Sequence, residues 1–161
     1  MQYAAFLRGI GPSNPNTRQE KLKWFFENLG FTNVRVVISS GNVVFSSRSK
    51  NIAAIEAKIE KGLPKLLGFN SMTIVQSEEQ LRKLVKQNPF KGKDHGTRSY
   101  LLVTFFKTKP AKKLKYDRAV CNAFDLTGNK GPEVMTRLEK TYGKQITSRT
   151  WKTILKIVNK F

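Results

Sequence analysis

The residue types that carry most enzyme chemistry are scarce in this sequence. It contains one histidine and one cysteine, His95 and Cys121, which lie far apart along the chain. A metal site built from His and Cys needs a cluster of ligands, and a thiolate nucleophile needs a base beside it. His95 lies in a loop of Lys and Gly, whereas Cys121 lies in an apolar segment that suits a buried thiol. The residues therefore predict no metal and no cofactor, identify no catalytic residue and leave open whether the protein is an enzyme.

Carboxylates and glycine-rich loops add little to this picture. Glu78 and Glu79 stand together, but they occupy the first turn of a predicted helix, where the helix dipole accounts for acidic residues. The phosphate-binding pattern Gly-x-x-x-x-Gly-Lys-Ser/Thr is absent, and the Gly-Asn-Lys-Gly at 128–131 is a weak anion signal. Neither feature defines a reaction.

Positive charge is the strongest functional signal. The 161 residues include 30 Lys and Arg against 11 Asp and Glu, a formal net charge of +19. Such a surface attracts polyanions, whose phosphates Lys and Arg neutralise, although Lys can also serve only solubility. Two stretches of the second half, 107–118 and the last predicted helix, are especially basic. The candidate nucleic-acid-binding residues are Lys107, Lys109, Lys112, Lys113, Lys115, Lys152, Lys156 and Lys160.

A second group of residues suggests a site for a small anion. Arg8 closes the first predicted strand, Asn42 opens the return strand of a hairpin, and Arg149 is predicted to begin the last helix beside Trp151. If the fold brings them together, a guanidinium, an amide and a helix N-terminus can hold a phosphate or carboxylate. The alternative is structural: Arg8 pairs with a buried carboxylate, Asn42 satisfies turn backbone and Trp151 belongs to the core.

The first half of the chain must position Arg8 and Asn42, and its pattern is regular. A capping box at Thr17 and Glu20 opens a helix that Gly30 ends, and a Gly at position 41 joins two β-branched runs into a hairpin. The predicted elements are a strand at 2–8, a helix at 17–30, strands at 34–38 and 42–47, a helix at 52–68 and a strand at 72–76. This β-α-β-β-α-β order is ferredoxin-like.

The second half is predicted to add further helices and strands. Ser77 and Gln80 form a capping box for a helix that ends before Pro89. Strands follow at 99–106 and 118–126, then helices at 132–142 and 147–159. We expect an α+β protein with a ferredoxin-like half at 1–77 and a basic α/β half at 78–161 packed against it, so that the two form one compact unit.

Apolar residues occupy both faces of the first predicted sheet. In the first strand Tyr3, Ala5 and Leu7 point to one face, and Ala4 and Phe6 point to the other. An open sheet would carry polar residues on its solvent face, so we expect the second face to be covered by the C-terminal half or by a second copy of the chain.

Aromatic residues give no sign of sheet-face RNA recognition. The strand at 42–47 lacks the aromatic motif with which RNA-recognition modules stack bases. Trp24 falls off the apolar stripe of its helix, and we expect it to be a partly exposed ring packed by a neighbour, not a stacking platform. Nucleic acid is therefore expected on the basic surface.

The apolar stretches of the sequence are too short to form a membrane-spanning helix or a signal peptide. Arg8 interrupts the N-terminal stretch, so no signal peptide is predicted, and the longest apolar run, around 100–106, has the length of a strand. A single cysteine suits a reducing compartment. We expect a cytoplasmic protein with no membrane partner.

Three segments, read together, resemble a known bacterial family. They are FLRGI at 6–10, LGFTNV with ISSGNVVF at 29–34 and 38–45, and TSRTWKTILK at 147–156. The chain resembles the family of proteins that contain domain of unknown function 1697. The resemblance implies a ferredoxin-like α+β fold and no established activity. The loop at 11–16 and the stretch at 118–130 depart from the family pattern, so no role is carried to Asn129 or Lys130.

The sequence thus predicts a basic protein that binds nucleic acid without sequence choice. Two alternatives stay open: a binding protein or enzyme for a small phosphate or carboxylate ligand, and a structural or interaction module whose charge maintains solubility. The ligand, the choice between DNA and RNA and the oligomeric state are not predicted.

Overall fold

The chain combines two antiparallel sheets with α-helices. The computed structural model describes residues 1–11, 15–38, 41–94, 96, 99–110, 114–125 and 131–161, and five α-helices lie within these ranges. It divides into two units, one formed by Met1–Leu81 with Lys156–Phe161 and the other by Arg82–Leu155. The architecture is therefore α+β, and the last six residues belong with the first unit.

The first unit is built on a four-stranded sheet in the order β2-β3-β1-β4, with every neighbouring pair antiparallel. Two helices connect its strands. The elements are β1 (Gln2–Leu7), α1 (Gln19–Asn28), β2 (Thr32–Val36), β3 (Asn42–Ser46), α2 (Ile52–Leu67) and β4 (Thr73–Ser77). They follow one another along the chain in β-α-β-β-α-β order.

Helix α1 begins later than its sequence signal indicated. Its N-cap is Arg18, which makes no side-chain capping hydrogen bond, and the hydroxyl of Thr17 donates to the carbonyl of Gly11 at 3.1 Å. The expected capping box at Thr17 is therefore wrong, because that hydroxyl is used in the preceding loop. The helix ends before Gly30, whose φ of +80° favours glycine.

Aromatic rings fill the space between α1 and the sheet. The Phe45 ring on β3 lies 4.5 Å from that of Phe31, 5.4 Å from that of Phe26 and 5.9 Å from that of Tyr3, measured between centroids. All four residues are buried. Tilted and stacked pairs at such distances are favourable beyond the area that they bury, so this cluster fixes α1 on the sheet.

Helix α2 is held to the sheet by carboxylates as well as by apolar packing. Ile55, Ile59 and Leu63 are buried on its inner face. Glu56 and Glu60 lie one turn apart and accept hydrogen bonds from the backbone N–H groups of Val75 and Thr73 on β4, each at 2.8 Å. Hydrogen bonds to a charged group are worth more than neutral ones. These two bonds tie α2 to the outer strand β4.

The other face of this sheet is also buried. Ala4, Phe6, Val44 and Ile74 point away from α1 and α2, and each has no exposed surface. The prediction that this face is covered is confirmed, and its burial is complete within one chain. No described residue of the first sheet therefore offers an open aromatic face of the kind that RNA-recognition modules use.

The second unit contains a three-stranded antiparallel sheet in the order β6-β5-β7. The elements are α3 (Glu78–Lys86), β5 (Ser99–Phe106), β6 (Ala119–Asp125), α4 (Gly131–Tyr142), β7 (Ile146–Thr150) and α5 (Trp151–Val158), and the boundaries between the units fall within α3 and α5. The capping box of α3 is confirmed, because Gln80 N–H donates to Ser77 Oγ and Ser77 N–H donates to Gln80 Oε1.

The start of the last predicted helix is wrong. Residues Ile146–Thr150 form the strand β7, and α5 begins only at Trp151. The hydroxyls of Ser148 and Thr104 on β5 lie 2.7 Å apart, and Thr150 Oγ1 accepts from the N–H of Thr153 at the start of the helix. Polar cross-strand pairing therefore extends the sheet to Thr150, where a capping residue starts the helix.

Helix length also bears on membrane insertion. None of the described helices is both long and apolar enough to cross a bilayer.

The link between α2 and β4 can be tested through Glu56, which is only 2% exposed. We expect Glu56→Ala to lower the free energy of unfolding by about 1–3 kcal/mol, because the N–H of Val75 loses its acceptor in a buried position. Urea unfolding measures this loss. Glu56→Gln keeps an acceptor oxygen at the same place and should lose less. Equal stability of the Ala variant and the wild type would contradict the assigned role.

Candidate functional site

Two of the predicted anion-binding residues lie in the first unit. Arg8 follows β1, where its N–H donates to the carbonyl of Met72 at 2.9 Å and its carbonyl accepts from Ser71 Oγ at 2.7 Å. Asn42 is fully buried, and its side-chain amide donates to the carbonyl of Val37 at 3.1 Å. The Asn42 side chain thus helps to close the β2–β3 hairpin, as the structural alternative supposed.

The other two predicted anion-binding residues lie in the second unit. Arg149 is on β7, not at the start of a helix, and its Nη1 donates to Thr147 Oγ1 and to the carbonyl of Ser148, each at 2.8 Å. Burial lowers the pKa of Arg149 to about 10, so the guanidinium stays charged at neutral pH. Trp151 is half-buried, with its ring edge-on to that of Phe90 at 5.3 Å. That all four residues form one site stays a prediction.

The lysines predicted to bind nucleic acid are largely accessible. Lys109 and Lys115 are exposed and Lys107 is half-buried, whereas Lys112 and Lys113 lie outside the described residues. Lys152, Lys156 and Lys160 are also exposed. Lys152 and Lys156 are one turn apart on α5, and Lys160 lies just beyond the end of that helix, where its carbonyl accepts from the guanidinium of Arg35.

A groove between α1 and α2 is a feature that the reading of the sequence missed. Trp24 lies at the edge of this groove. Its side chain is 64% exposed, far more than we expected for a ring packed by a neighbour. The groove encloses about 490 Å³, within the range of about 300–1,000 Å³ that is typical of ligand pockets. It is lined by Trp24, Phe25, Asn28, Leu29, Lys58, Lys61, Gly62, Lys65 and Leu66.

Gly62 brings the two helices close enough to form the floor of this groove. A Cβ at position 62 would lie 2.9 Å from Cε2 of Phe25 and 3.4 Å from Cδ2 of Leu29, so a larger residue would require the Phe25 ring or helix α1 to shift. Glycine inside a helix is otherwise unfavourable by about 1 kcal/mol relative to alanine. Here it allows Phe25, Leu29 and Leu66 to provide an apolar floor.

The rim of the groove is positively charged. Lys58, Lys61 and Lys65 are exposed at i, i+3 and i+7 of α2, a spacing that keeps them on one side of the helix and spreads them over about 10 Å. The Lys58 ammonium lies 5.5 Å from the centroid of the Phe31 ring, a cation–π distance. No carboxylate is found among the described residues that line this groove.

A second, more polar cavity of about 540 Å³ adjoins the groove. Trp24, Lys65 and Leu66 line both, so the indole stands at their common boundary. Asn16, Glu20 and Lys21 complete the second cavity, and Lys21 Nζ donates to Asn16 Oδ1 at 2.9 Å. Glu20 therefore lies in the second cavity together with Lys21 and Lys65, whereas Lys58 and Lys61 line only the groove.

The sequence did carry signals of the groove. Trp24 falls outside the apolar stripe of α1, and three lysines recur at helical spacing on α2. What the sequence lacked was the contact at Gly62, which sets α1 beside α2 and places the indole next to the lysines.

Cys121 is not arranged as a reactive thiol. It lies half-buried on β6, and burial raises the pKa of its thiol to about 12, despite the opposing effect of the nearby Lys115 ammonium. The attacking species in thiol chemistry is the thiolate. At neutral pH the thiol therefore stays protonated.

We expect native protein to react slowly with iodoacetamide at pH 7–8, with the rate rising as the pH approaches 12, because only then does the thiolate form. Mass spectrometry of timed samples measures the reaction. The urea-unfolded chain is the control, and it should react as an ordinary cysteine does. Equal rates for the native and unfolded chains at pH 7–8 would contradict the raised pKa.

Comparison with known proteins supports the fold and a family. A solved structure described as that of the conserved bacterial protein SP0830 from Streptococcus pneumoniae superposes with a TM-score of 0.71 at 21% sequence identity, covering 98% of this chain and 96% of that one. No curated protein matches the chain. The family model described as "Protein of unknown function (DUF1697)" matches residues 1–128. Since that match spans most of the 161 residues, the chain belongs to the DUF1697 family.

Proposed function

We propose that the protein binds nucleic acid without sequence choice, through lysines that contact backbone phosphates. The observation that carries the proposal is the groove of the first unit, where Lys58, Lys61 and Lys65 lie in a row beside an apolar floor. Phosphate contacts by Lys supply most of the sequence-independent affinity of proteins for nucleic acid. The net charge of +19 adds long-range attraction for the same partner.

The spacing of the groove lysines favours a polymer over a small anion. A single carboxylate or phosphate would contact one or two ammonium groups, whereas this row extends over about 10 Å along α2. A chain with many phosphates can contact all three in sequence, and each contact releases a counterion. Lysine acts as a flexible point charge, which suits backbone binding without base readout.

Lysines elsewhere in the chain extend the proposed phosphate contacts. They are the residues that the sequence singled out: Lys107, Lys109, Lys112, Lys113, Lys115, Lys152, Lys156 and Lys160. The exposure of Lys109, Lys115 and Lys152 supports this role, because an exposed ammonium keeps its charge available to a partner. The Lys115 ammonium also lies 5.6 Å from the centroid of the Tyr116 ring, which places a cation and an aromatic together.

Three broader assignments accompany this proposal. We propose a ferredoxin-like topology for the first unit, supported by its β-α-β-β-α-β order and its β2-β3-β1-β4 sheet. We also retain, as a hypothesis, the division of the chain into a ferredoxin-like half at 1–77 and a basic half at 78–161. We also propose that the protein acts in the cytoplasm, where a lone thiol stays reduced.

Salt dependence tests the main proposal. We expect the affinity for an oligonucleotide to fall linearly in a plot of log K against log salt, with a slope of about −0.7 for each phosphate neutralised on a single strand. Fluorescence anisotropy of a labelled oligonucleotide measures it. Replacing Lys61 and Lys65 by Gln should flatten the slope by up to about 1.4, because two contacts are lost. The variant Lys109→Gln, Lys112→Gln, Lys113→Gln, Lys115→Gln tests the second surface in the same assay.

The matched control removes two charges from the same unit but outside the groove. Lys23 and Lys50 are exposed and do not line it, and Lys23 pairs with Glu27 at 2.7 Å. Their double Gln variant should keep a slope close to that of the wild type. Lys58 is left unchanged because its ammonium also packs over Phe31. If the two double variants give the same salt slope, the groove lysines are not phosphate contacts. An absence of oligonucleotide binding by the wild type would refute the proposed function.

A small anionic ligand is the second candidate, and one observation favours it. Arg149 lies half-buried on β7, where its Nη1 donates to Thr147 Oγ1 and to the Ser148 carbonyl, and a guanidinium that is partly desolvated by burial is stabilised by an anionic partner. The residues predicted for this ligand are Arg8 and Asn42 of the first unit and Arg149 and Trp151 of the second. This candidate receives less support than the groove, because the Asn42 amide already bonds to Val37.

We expect an anion that binds at Arg149 to raise the melting temperature of the wild type and not that of Arg149→Ala, since binding to the folded state alone stabilises it. Differential scanning fluorimetry with inorganic phosphate, pyrophosphate and citrate measures the shift. Arg149→Lys keeps the charge but loses the planar guanidinium that can donate two parallel hydrogen bonds, so the melting temperature of this variant should rise less than that of the wild type. Equal shifts in the wild type and in Arg149→Ala would exclude this site.

A further inference from the structure

Trp24 is unusual because it combines high exposure with a position among cations. Large aromatic side chains are normally buried for most of their surface, yet this indole is 64% exposed. It lines two adjoining cavities, one with an apolar floor and three lysines and the other with Glu20, Lys21 and the shared Lys65. Its backbone is fixed within α1, where the carbonyl of Trp24 accepts from the Asn28 side-chain amide at 2.8 Å.

We propose that the Trp24 indole stacks on an unpaired base, so that the groove selects single-stranded over duplex nucleic acid. This inference rests on the proposed function and adds the class of nucleic acid to it. Every base has a flat aromatic face, and stacking on a protein ring tolerates any sequence. The neighbouring lysines hold the backbone phosphates on either side of that base.

The lining of the two cavities indicates where the backbone runs. The groove is lined by three lysines and by no carboxylate among the described residues, whereas Glu20 partly offsets Lys21 and Lys65 in the polar cavity, so the groove attracts phosphates more strongly. The backbone therefore follows α2, and the base lies over the apolar floor of Phe25, Leu29 and Leu66 against the indole. A positively charged groove beside an aromatic side chain on which bases stack is the usual combination in proteins that bind single-stranded nucleic acid.

A duplex does not fit this arrangement. Its bases are already stacked on their neighbours, so their flat faces are accessible only after unstacking, which costs a few kcal/mol per step. A duplex can still contact the lysines through its phosphates, without sequence or strand choice. The indole thus adds affinity for a single strand alone.

Other occupants of a basic apolar groove would use different chemistry. A fatty acid would need an enclosed channel for its chain, and an acidic helix would need several apolar anchors in a row. Here the exposed Trp24 ring borders an open groove with a short apolar floor, and the lysines lie along one line. We therefore commit to the single strand and treat heparin and polyglutamate as competing ligands in the test.

Intrinsic fluorescence reports directly on the indole. The chain has two tryptophans, and Trp151 packs edge-on against Phe90 in the other unit. Trp151→Phe therefore leaves Trp24 as the sole reporter. We expect oligothymidylate to quench this fluorescence to saturation, a duplex of equal length to quench it little, and heparin to bind without quenching. Quenching by heparin or polyglutamate equal to that by oligothymidylate would overturn the proposal, because the groove would then respond to charge alone.

Affinity of Trp24 variants provides the second readout. We expect Trp24→Ala to weaken binding of oligothymidylate by about 5- to 150-fold, which corresponds to one stacked base, and to leave duplex affinity unchanged. Trp24→Phe keeps a smaller ring and should lie between. Because the indole is mostly exposed, we expect the Ala variant to keep the melting temperature within a few degrees of wild type, which thermal unfolding verifies.

The outcomes separate the two proposals. If Trp24→Ala leaves single-strand affinity unchanged while Lys61→Gln with Lys65→Gln weakens it, the stacking inference fails and phosphate binding stands. If the wild type binds single strand and duplex equally and the Ala variant weakens both alike, the inference also fails. If the wild type binds no oligonucleotide, the proposed function itself fails.

Discussion

The ring cluster around Phe45 is the constraint on which the geometry of the groove depends. Phe45 projects from β3 and contacts Phe26 of α1 and Phe31 just beyond it, while Tyr3 approaches from β1. Close-packed rings allow few alternative arrangements, because interiors are as dense as crystals of small molecules. Helix α1 consequently has one position on the sheet, and Trp24 is presented to solvent at a defined place beside α2.

Charge and shape make separate contributions to the proposed binding. The excess of Lys and Arg acts at a distance and does not distinguish one polyanion from another. The groove acts at contact, where an apolar floor and an indole lie beside a row of ammonium groups. Lysines on both units can attract a strand, whereas only the first unit offers an exposed aromatic ring of this size among the described residues. Selectivity therefore belongs to the groove and long-range attraction to the whole chain.

Much of the fold was predictable, and the failures have physical causes. The α+β class, the strand at 99–106, the capping box at Ser77 and the buried second face of the first sheet followed from alternation, helical periodicity and turn residues. Strand β7 was missed because Thr147-Ser148-Arg149-Thr150 shows no apolar alternation, and the apolar period of α5 was extended back across it. The groove was missed because local patterns describe each helix alone, and the contact of Gly62 with Phe25 is tertiary.

The bonds from Glu56 and Glu60 to β4 also affect how molecules of this protein meet one another. Strand β4 is the outermost strand of the first sheet, and its outward N–H groups at Val75 and Thr73 would otherwise be free to pair with a strand from another molecule. Carboxylate oxygens occupy both donors, and helix α2 covers them. This border of the sheet is thereby closed to a strand from another molecule, which removes one of the routes by which exposed strand edges lead to aggregation.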